Sequence, residues 1–151
     1  MDHVPKQVRS RIMASVKSRG NRSTEQAVAA VLRQAGLVGY RRQWPIAGKP
    51  DFAWPGLRVA LFVDGCFWHG CPTCNRPSKS NVSFWKRKVS DNQRRDKRVT
   101  RWLRRHGWSV LRVWECKVGA FATRARIQRV IEGRKASLTK KGHAKTRKTR
   151  A

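Results

Sequence analysis

The first apolar pattern along the chain has helical spacing. Ser23 and Gln26 stand at the spacing of a capping box, and Gly36 follows the last apolar position. The residues that recur on one helical face between them are Val28, Val31, Leu32 and Ala35. This pattern predicts an amphipathic helix that begins at Ser23 and ends at Gly36.

Three extended segments follow this helix. Residues 40–44 and 49–54 are predicted strands separated by a turn with Pro45 and Gly48, and residues 57–63 are a third predicted strand. The third segment is nearly continuous in apolar side chains, which is typical of a strand buried on both faces. We therefore expect it at the centre of the sheet, followed by a cysteine-rich loop over 65–82.

A long basic helix, a fourth strand and a last helix complete the predicted elements. The long helix covers about 83–106, the strand 108–114, and the last helix about 119–132. The buried face of the long helix is predicted to comprise Trp85, Val89, Val99, Trp102 and Leu103. This order of elements predicts an α/β fold with three layers, in which helices cover a small central mixed sheet.

The charge balance indicates that this α/β protein binds a polyanion. The chain has 36 Lys and Arg against 8 Asp and Glu, for a net charge of +28. Such an excess favours nucleic acid as the partner, although a ribosome-type or merely soluble basic protein has a similar balance. The 39% of hydrophobic residues and the seven Trp exclude a disordered polyelectrolyte.

The two ends of the chain differ from its middle. Residues 1–22 are basic and broken, and we expect an arm that contacts phosphate or is simply solvated. Residues 133–151 hold eight Lys and Arg and no acid, which predicts a disordered basic tail. The folded domain is therefore expected to cover residues 23–132.

The cysteines predict a metal site. No signal peptide or transmembrane segment is evident, so the chain is expected to be intracellular, where grouped cysteines more often bind metal than form disulfides. Four thiolates suit a closed, tetrahedral zinc site of the structural kind. The predicted ligands are Cys66, Cys71, Cys74 and Cys116. The alternatives are four unrelated buried thiols, a redox pair, or His69 or His106 in place of one cysteine.

Two aspartates stand where carboxylates are costly. Asp51 lies within an apolar strand, and Asp64 ends the next one. Two carboxylates on adjacent strands suit Mg²⁺, but each could instead pair with one of the many arginines. His69 lies three residues beyond Cys66 and could act as a general base, or simply pack in the zinc loop.

Two glutamates have ordinary explanations. Glu25 lies in the first turn of the predicted helix, where an acid is favourable to the helix dipole. Glu115, before Cys116, could suggest half of a nuclease motif, but the cysteine is already committed to zinc. We therefore expect Glu115 to orient a ligand or pair with an arginine.

Aromatic side chains surround the predicted sites. Phe67 and Trp68 lie between Cys66 and His69, and Trp85 begins the basic helix. An apolar ring on a basic face can insert between DNA bases, since it replaces the stacking that the bases lose. We favour this role for Phe67 and Trp68, whereas core packing explains Trp85 equally well.

Several segments together resemble a known family. They are Gly48-Lys49-Pro50-Asp51-Phe52, the run from Phe62 to Pro72, Phe84-Trp85, Gly107-Trp108 and Val113-Trp114-Glu115-Cys116. They resemble the very-short-patch repair mismatch endonucleases, the Vsr family, over roughly residues 8 to 120 in order. The most specific part is the run from Gly65 to Cys71, and Arg9-Ser10 and Met13 fit the family's N-terminal arm.

The resemblance implies a restriction-endonuclease-like fold of the PD-(D/E)xK type. It implies a monomeric, cytoplasmic and nucleoid-associated bacterial enzyme that nicks duplex DNA on the 5′ side of a T mispaired with G. Such T·G mismatches arise by deamination of 5-methylcytosine. Mg²⁺ would be the catalytic cofactor, Zn²⁺ the structural one, and mismatch-repair accessory proteins are candidate partners.

The resemblance also implies roles for individual residues. Asp51 would be the principal Mg²⁺ ligand with the Val63 carbonyl beside it, His69 the general base, and Glu25 a support for water or metal. Phe67, Trp68 and Trp85 would form the intercalating wedge, and the four cysteines would hold zinc.

This chain departs from the family at two positions. Some members carry histidine in place of Cys71, which leaves zinc binding intact. Some carry histidine in place of Asp64, so Asp64 is either a metal ligand or a replacement for a catalytic imidazole. The rival functions are a zinc-stabilised DNA-binding module without catalysis and a nuclease of the same fold with another DNA target.

Overall fold

The central element is a four-stranded mixed sheet. The computed structural model describes residues 7–8, 25–74, 78–79 and 81–148, with the backbone alone over 141–148. The strands are β1 (Arg41–Arg42), β2 (Phe52–Trp54), β3 (Val59–Asp64) and β4 (Ser109–Trp114). Their spatial order is β1-β2-β3-β4, with antiparallel pairing except between β3 and β4, which are parallel. The prediction of a small mixed sheet with the third strand inside it is confirmed.

Within the described part of residues 25–148, four α-helices accompany this sheet. They are α1 (Ala27–Gln34), α2 (Cys66–His69), α3 (Val82–Arg105) and α4 (Phe121–Lys148). α2 is a short helix within the stretch that the sequence predicted to be a loop. None of the described helices combines the length and apolar character that crossing a membrane requires.

Helices cover the sheet on both faces, which gives the three predicted layers. One core cluster joins α1 and α4 to the sheet through Leu32, Ile127, Leu61 and Leu111. A second, smaller cluster joins α3 to the opposite face through Leu103, Phe62 and Val110. The mixed α/β architecture fits a Vsr-like nuclease fold.

Strand alternation decides which polar residues meet α3. Successive side chains of a strand point to opposite faces, so Asp64 shares the face of Phe62, and Arg112 shares that of Val110. Phe62 is the register partner of Arg112 across the parallel pair. One acid and one base therefore lie side by side under the long helix.

The last helix is longer than the sequence predicted. It continues to Lys148, so the predicted disordered tail is helical over 133–148, and residues 149–151 lie outside the described part. Arg134 explains part of this continuation, because its guanidinium donates hydrogen bonds to the carbonyls of Leu57 at 2.9 Å and Gly107 at 2.7 Å. The domain boundaries themselves stay a prediction.

Two local predictions also need correction or fall outside the structure. Trp102, predicted to face the core, is 45% exposed and stacks on His106 with ring centroids 3.7 Å apart. Its neighbour Leu103 is fully buried, and successive residues of a helix point about 100° apart. Ser23, the predicted cap, and the arm over 1–22, apart from residues 7–8, lie outside the described residues.

Candidate active site

Asp51 is held against the central strand. It lies immediately before β2, and its Oδ2 accepts a hydrogen bond from the Val63 backbone N–H at 2.7 Å. The pKa of Asp51 is raised to about 6, mainly by burial and also by the neighbouring carboxylates of Glu25 and Asp64, against the opposing effect of the hydrogen bond from the Val63 N–H. Among the described residues no basic side chain forms an ion pair with Asp51.

This environment suits a divalent cation. A partly buried carboxylate that has no basic partner among the described residues, close to two further carboxylates, is a concentration of negative charge that a hard cation would relieve. Glu25 is only 4% exposed and precedes α1 within a wider helical turn, so it is not in the first turn of that helix. Its carboxylate forms an ion pair with Arg42.

Asp64 has a different partner. Arg112 donates from Nε to Oδ2 at 2.8 Å and from Nη2 to Oδ1 at 2.5 Å, so both carboxylate oxygens are engaged. The guanidinium also lies over the Phe62 ring, 4.9 Å from its centroid. Of the two alternatives for Asp64, metal ligand or ion pair with arginine, the structure shows the ion pair.

His69 forms a dyad with an acid of the long helix. Its Nδ1 lies 2.5 Å from Oδ2 of Asp96 and 3.9 Å from Oδ1 of Asp64. Burial raises the pKa of Asp96, but the hydrogen bond from His69 and the charge of Arg112 outweigh it, so the pKa is lowered. A neutral imidazole that donates its Nδ1–H to this carboxylate would leave the lone pair of Nε2 available as an acceptor.

The backbone around His69 is fixed by the same helix. Gln93 donates from Nε2 to the His69 carbonyl at 2.9 Å, and Asn92 donates from Nδ2 to the Trp68 carbonyl at 2.8 Å. α2 then ends at Gly70, whose φ is +68° and whose Cα lies so close to α3 that an added Cβ would be 2.8 Å from Val89 Cγ1. A larger residue at this position would be strained by the positive φ and would collide with Val89 and Gln93.

These side chains line one cavity. It has a volume of about 410 Å³ and is lined by Asp51, Asp64, His69 and Asp96, with Arg112 at the side. Nε of Arg112 contacts Asp64 and its Nη2 contacts both Asp64 and Asp96, the latter at 3.0 Å. The cavity therefore contains the imidazole of His69, the Asp51 carboxylate as a candidate metal ligand, and the two acids bound by Arg112. Its size is sufficient for a phosphodiester group.

The four cysteines also come together. Their sulfur atoms lie within 4.8 Å of one another, and the Sγ atoms of Cys71 and Cys116 are 3.7 Å apart. Tetrahedral zinc with Zn–S bonds of about 2.3 Å would separate its sulfurs by about 3.8 Å, whereas a disulfide needs about 2 Å. The arrangement fits zinc, and all four cysteines are free thiols in this structure.

The four thiols and the backbone around them shift the pKa values of individual cysteines. Burial raises the pKa of Cys71, but hydrogen bonds from the backbone N–H groups of Cys74 and Thr73 outweigh it and lower that pKa to about 6. Hydrogen bonding to Cys66 raises the pKa of Cys74. His69 and His106, the alternative ligands, have Asp96 and Trp102 as their partners instead.

The predicted wedge residues form one aromatic cluster. Phe67 lies 5.3 Å from Trp68 and 5.0 Å from Trp85, and Trp68 lies 5.7 Å from Trp85, measured between ring centroids. Phe84, to which the sequence gave no role, touches Trp85 at 5.2 Å and is 58% exposed. The cluster stands at the N-terminal end of α3, next to His69.

Glu115 lies beside Cys66, one of the four clustered cysteines. Its Oε2 accepts a hydrogen bond from the backbone N–H of Cys66 at 3.4 Å. This contact accords with the expectation that Glu115 orients a ligand.

Two residues of the cavity escaped the sequence analysis, Asp96 and Arg112. Asp96 is one of only eight acids in a chain with 36 basic residues, so its presence on a strongly basic helix was an available signal. Arg112 interrupts an apolar strand between Leu111 and Val113. Its partner could not be read from the sequence, because the ion pair spans 48 positions.

Comparisons with known proteins identify the family of the chain. A family model described as "DNA mismatch endonuclease Vsr" matches residues 1–76. The type II nicking enzyme V.NmeDIP of Neisseria meningitidis serogroup C is 41% identical over 116 residues, which cover 76% of this chain and 78% of the relative. The type II nicking enzyme V.XorIIP of Xanthomonas oryzae pv. oryzae is 34% identical over 134 residues, 87% and 97% of the two chains.

A further relative carries the family's name. The DNA mismatch endonuclease Vsr of Escherichia coli strain K12 is 34% identical over 113 residues, which cover 74% of this chain and 71% of the relative. The family match covers half of the chain, and the relatives align along most of it. The chain therefore belongs to the Vsr family of DNA mismatch endonucleases.

Proposed function

We propose that this protein is a Mg²⁺-dependent endonuclease that nicks duplex DNA on the 5′ side of the T in a T·G mismatch. One observation carries the proposal: the Asp51 carboxylate, which has no basic partner among the described residues, shares a cavity with the His69–Asp96 dyad. A non-catalytic DNA-binding module has no use for this combination of a base and an unneutralised acid.

His69 is the proposed general base. Its Nε2 accepts the proton of the water molecule that attacks the scissile phosphorus, while Nδ1 remains bonded to Asp96. Asp96 fixes the tautomer and stabilises the imidazolium that forms. A positioned base of this kind contributes about 10²- to 10⁴-fold to rate.

Asp51 is the proposed metal ligand, with the Val63 carbonyl and Glu25 as supports. Bound there, Mg²⁺ would act as a Lewis acid on the scissile phosphate and stabilise the leaving oxygen. Asp51 and Glu25 supply the negative charge that attracts the cation, and the bond from the Val63 N–H orients Asp51.

Asp64 and Arg112 have a positioning role in this proposal. Arg112 bridges Asp64 and Asp96, so the carboxylate that contacts His69 is held from both sides. Asp64 secures the guanidinium in this bridge through two hydrogen bonds. A direct catalytic role for Asp64 stays a prediction from the family resemblance.

Zinc is the proposed structural cofactor of Cys66, Cys71, Cys74 and Cys116. We expect one equivalent of Zn²⁺ in the purified protein by plasma mass spectrometry, and its loss from Cys74→Ser together with a fall in melting temperature. The reason is that the site joins the end of α2 to the turn after β4 and so contributes to folding. A metal-free preparation that melts at the same temperature before and after Zn²⁺ is added would contradict this assignment.

Mismatch choice is proposed to depend on the aromatic cluster. Inserting a ring between base pairs costs a few kcal/mol of unstacking, and a weakly paired T·G step lowers that cost. Phe67, Trp68 and Trp85 already contact one another beside His69, so an inserted wedge would place the neighbouring phosphate close to the cavity.

The proposal is tested with duplex oligonucleotides that are identical except for one T·G or T·A pair. With Mg²⁺ we expect a single nick beside the T of the mismatched duplex, and no nick with EDTA. Trp68→Ala is expected to reduce the ratio of mismatched to matched cleavage more than it reduces cleavage itself. Equal cutting of matched DNA would identify a nuclease with another target, and tight binding without cutting would identify a non-catalytic module.

A further inference from the structure

A second, larger cavity opens from the catalytic one. It has a volume of about 960 Å³ and shares Asp64, His69, Asp96 and Arg112 with the smaller cavity. Away from these residues, Gly70, Pro72 and Trp114 line one part of its wall, and the C-terminal half of α3 lines another with the basic side chains of Lys97, Arg101, Arg104 and Arg105. We call this space the basic groove.

The basic groove follows from the spacing of these residues. Steps of four, three and one positions keep all four on one side of a helix, and about 1.5 Å of rise per residue spreads them over about 12 Å. Among the described residues, the acids that line the groove are Asp64 and Asp96, which already bond Arg112 and His69. The four cations are therefore not neutralised by the groove's own acids.

The aromatic cluster, the catalytic dyad and the basic groove follow one another along α3. Along α3, the aromatic cluster lies at the N-terminal end around Trp85, the catalytic dyad at Asp96, and the groove from Lys97 to Arg105. The groove therefore leads away from the catalytic cavity on the side opposite to the wedge. Thr100, whose hydroxyl has no hydrogen-bond partner among the described residues, also lines it.

We propose that the basic groove binds the backbone of the nicked strand on the 5′ side of the scissile phosphate. The inference rests on the proposed function, which places the mismatch and its wedge on the 3′ side of that phosphate. A length of about 12 Å corresponds to the rise of three or four nucleotides along the axis of B-DNA. The ligand is sugar-phosphate backbone, so the groove contributes affinity and register without reading sequence.

The first test removes three charges from the groove and three from elsewhere. The groove variant is Arg101→Ala/Arg104→Ala/Arg105→Ala, and the matched control is Arg129→Ala/Lys135→Ala/Lys140→Ala on the exposed side of α4. For the groove variant we expect KM for the T·G duplex to rise about tenfold to a hundredfold, kcat to change less than about twofold, and the slope of log affinity against log salt to fall by about 2 to 3. The control should change each value much less.

The second test locates the contact on the DNA. Methylphosphonates, which carry no charge, replace two or three phosphates on the 5′ or on the 3′ side of the nick. We expect the 5′ substitution to weaken binding of the wild-type protein and to have little further effect on the groove variant. Equal losses for the groove and control variants, or coupling to the 3′ phosphates instead, would overturn the groove assignment. A wild-type protein that does not nick the T·G duplex would refute the proposed function itself.

Discussion

Replacing Asp51 by Asn is expected to reduce nicking of the T·G duplex by at least about 10³-fold and, at the same time, to stabilise the folded protein. The loss of activity follows because an amide cannot supply the charge that holds Mg²⁺, whose contribution to phosphoryl chemistry amounts to several kcal/mol. The gain in stability follows because burial makes the ionised Asp51 costly.

The expected pH dependence gives this prediction a second readout. The folded pKa of Asp51, about 6, lies above the ordinary aspartate value of 3.8, so between these values the folded state holds a proton that the unfolded state has released. Stability therefore falls as pH rises from about 4 to about 6, and the full cost of about 2 to 3 kcal/mol remains above that range. Asp51→Asn removes this cost without losing the acceptor for the Val63 N–H.

The measurement is urea unfolding without Mg²⁺ at several pH values, beside a nicking assay. Asp91→Asn is the matched control, since Asp91 is half exposed and pairs with Arg94 on the surface of α3. We expect Asp51→Asn to exceed the wild type in stability at pH 7 and to equal it near pH 4. A variant that nicks at the wild-type rate would remove Asp51 from the mechanism.

The elements of this fold were predictable because their signals are local. Apolar spacing fixes α1, β3 and β4 to within a few residues, and the four cysteines indicate their cluster because few other uses suit them in this pattern. Local spacing was insufficient for Trp102, since two adjacent helical residues cannot both face the core. It was also insufficient for the last helix, which Arg134 ties to distant carbonyls.

Only one of the two residues of the catalytic dyad could be predicted from the sequence. The sequence identified His69 from its surroundings but not Asp96, which lies 27 positions away. Their meeting depends on how α3 lies across β3 and β4, and that geometry follows from the packing of Phe62, Val110 and Leu103. Polar partners across a core are set by packing, so the sequence could show that Asp64 needed a partner but not that the partner was Arg112.

Arg112→Leu is expected to destabilise the protein by about 3 to 5 kcal/mol, because it leaves the buried Asp64 carboxylate without its partner. Asp64→Asn/Arg112→Leu should recover most of this loss, since removing both members of a buried pair is far less costly than removing one. The measurement is the free energy of unfolding of both single variants and the double variant, which together give the coupling energy.

Nicking by the double variant then separates structure from positioning. If the pair serves stability alone, the double variant should regain the wild-type kcat with its fold. If Arg112 positions Asp96 and through it His69, kcat should stay about 10- to 100-fold low with KM unchanged, because the restored fold still lacks the bridge to Asp96. The kcat of Arg112→Lys should lie between the values of these two cases, because an ammonium group cannot reproduce the forked contact of the guanidinium with two carboxylates. Full activity of Arg112→Leu itself would show that His69 needs no bridge, and the dyad with Asp96 would then be sufficient to orient the base.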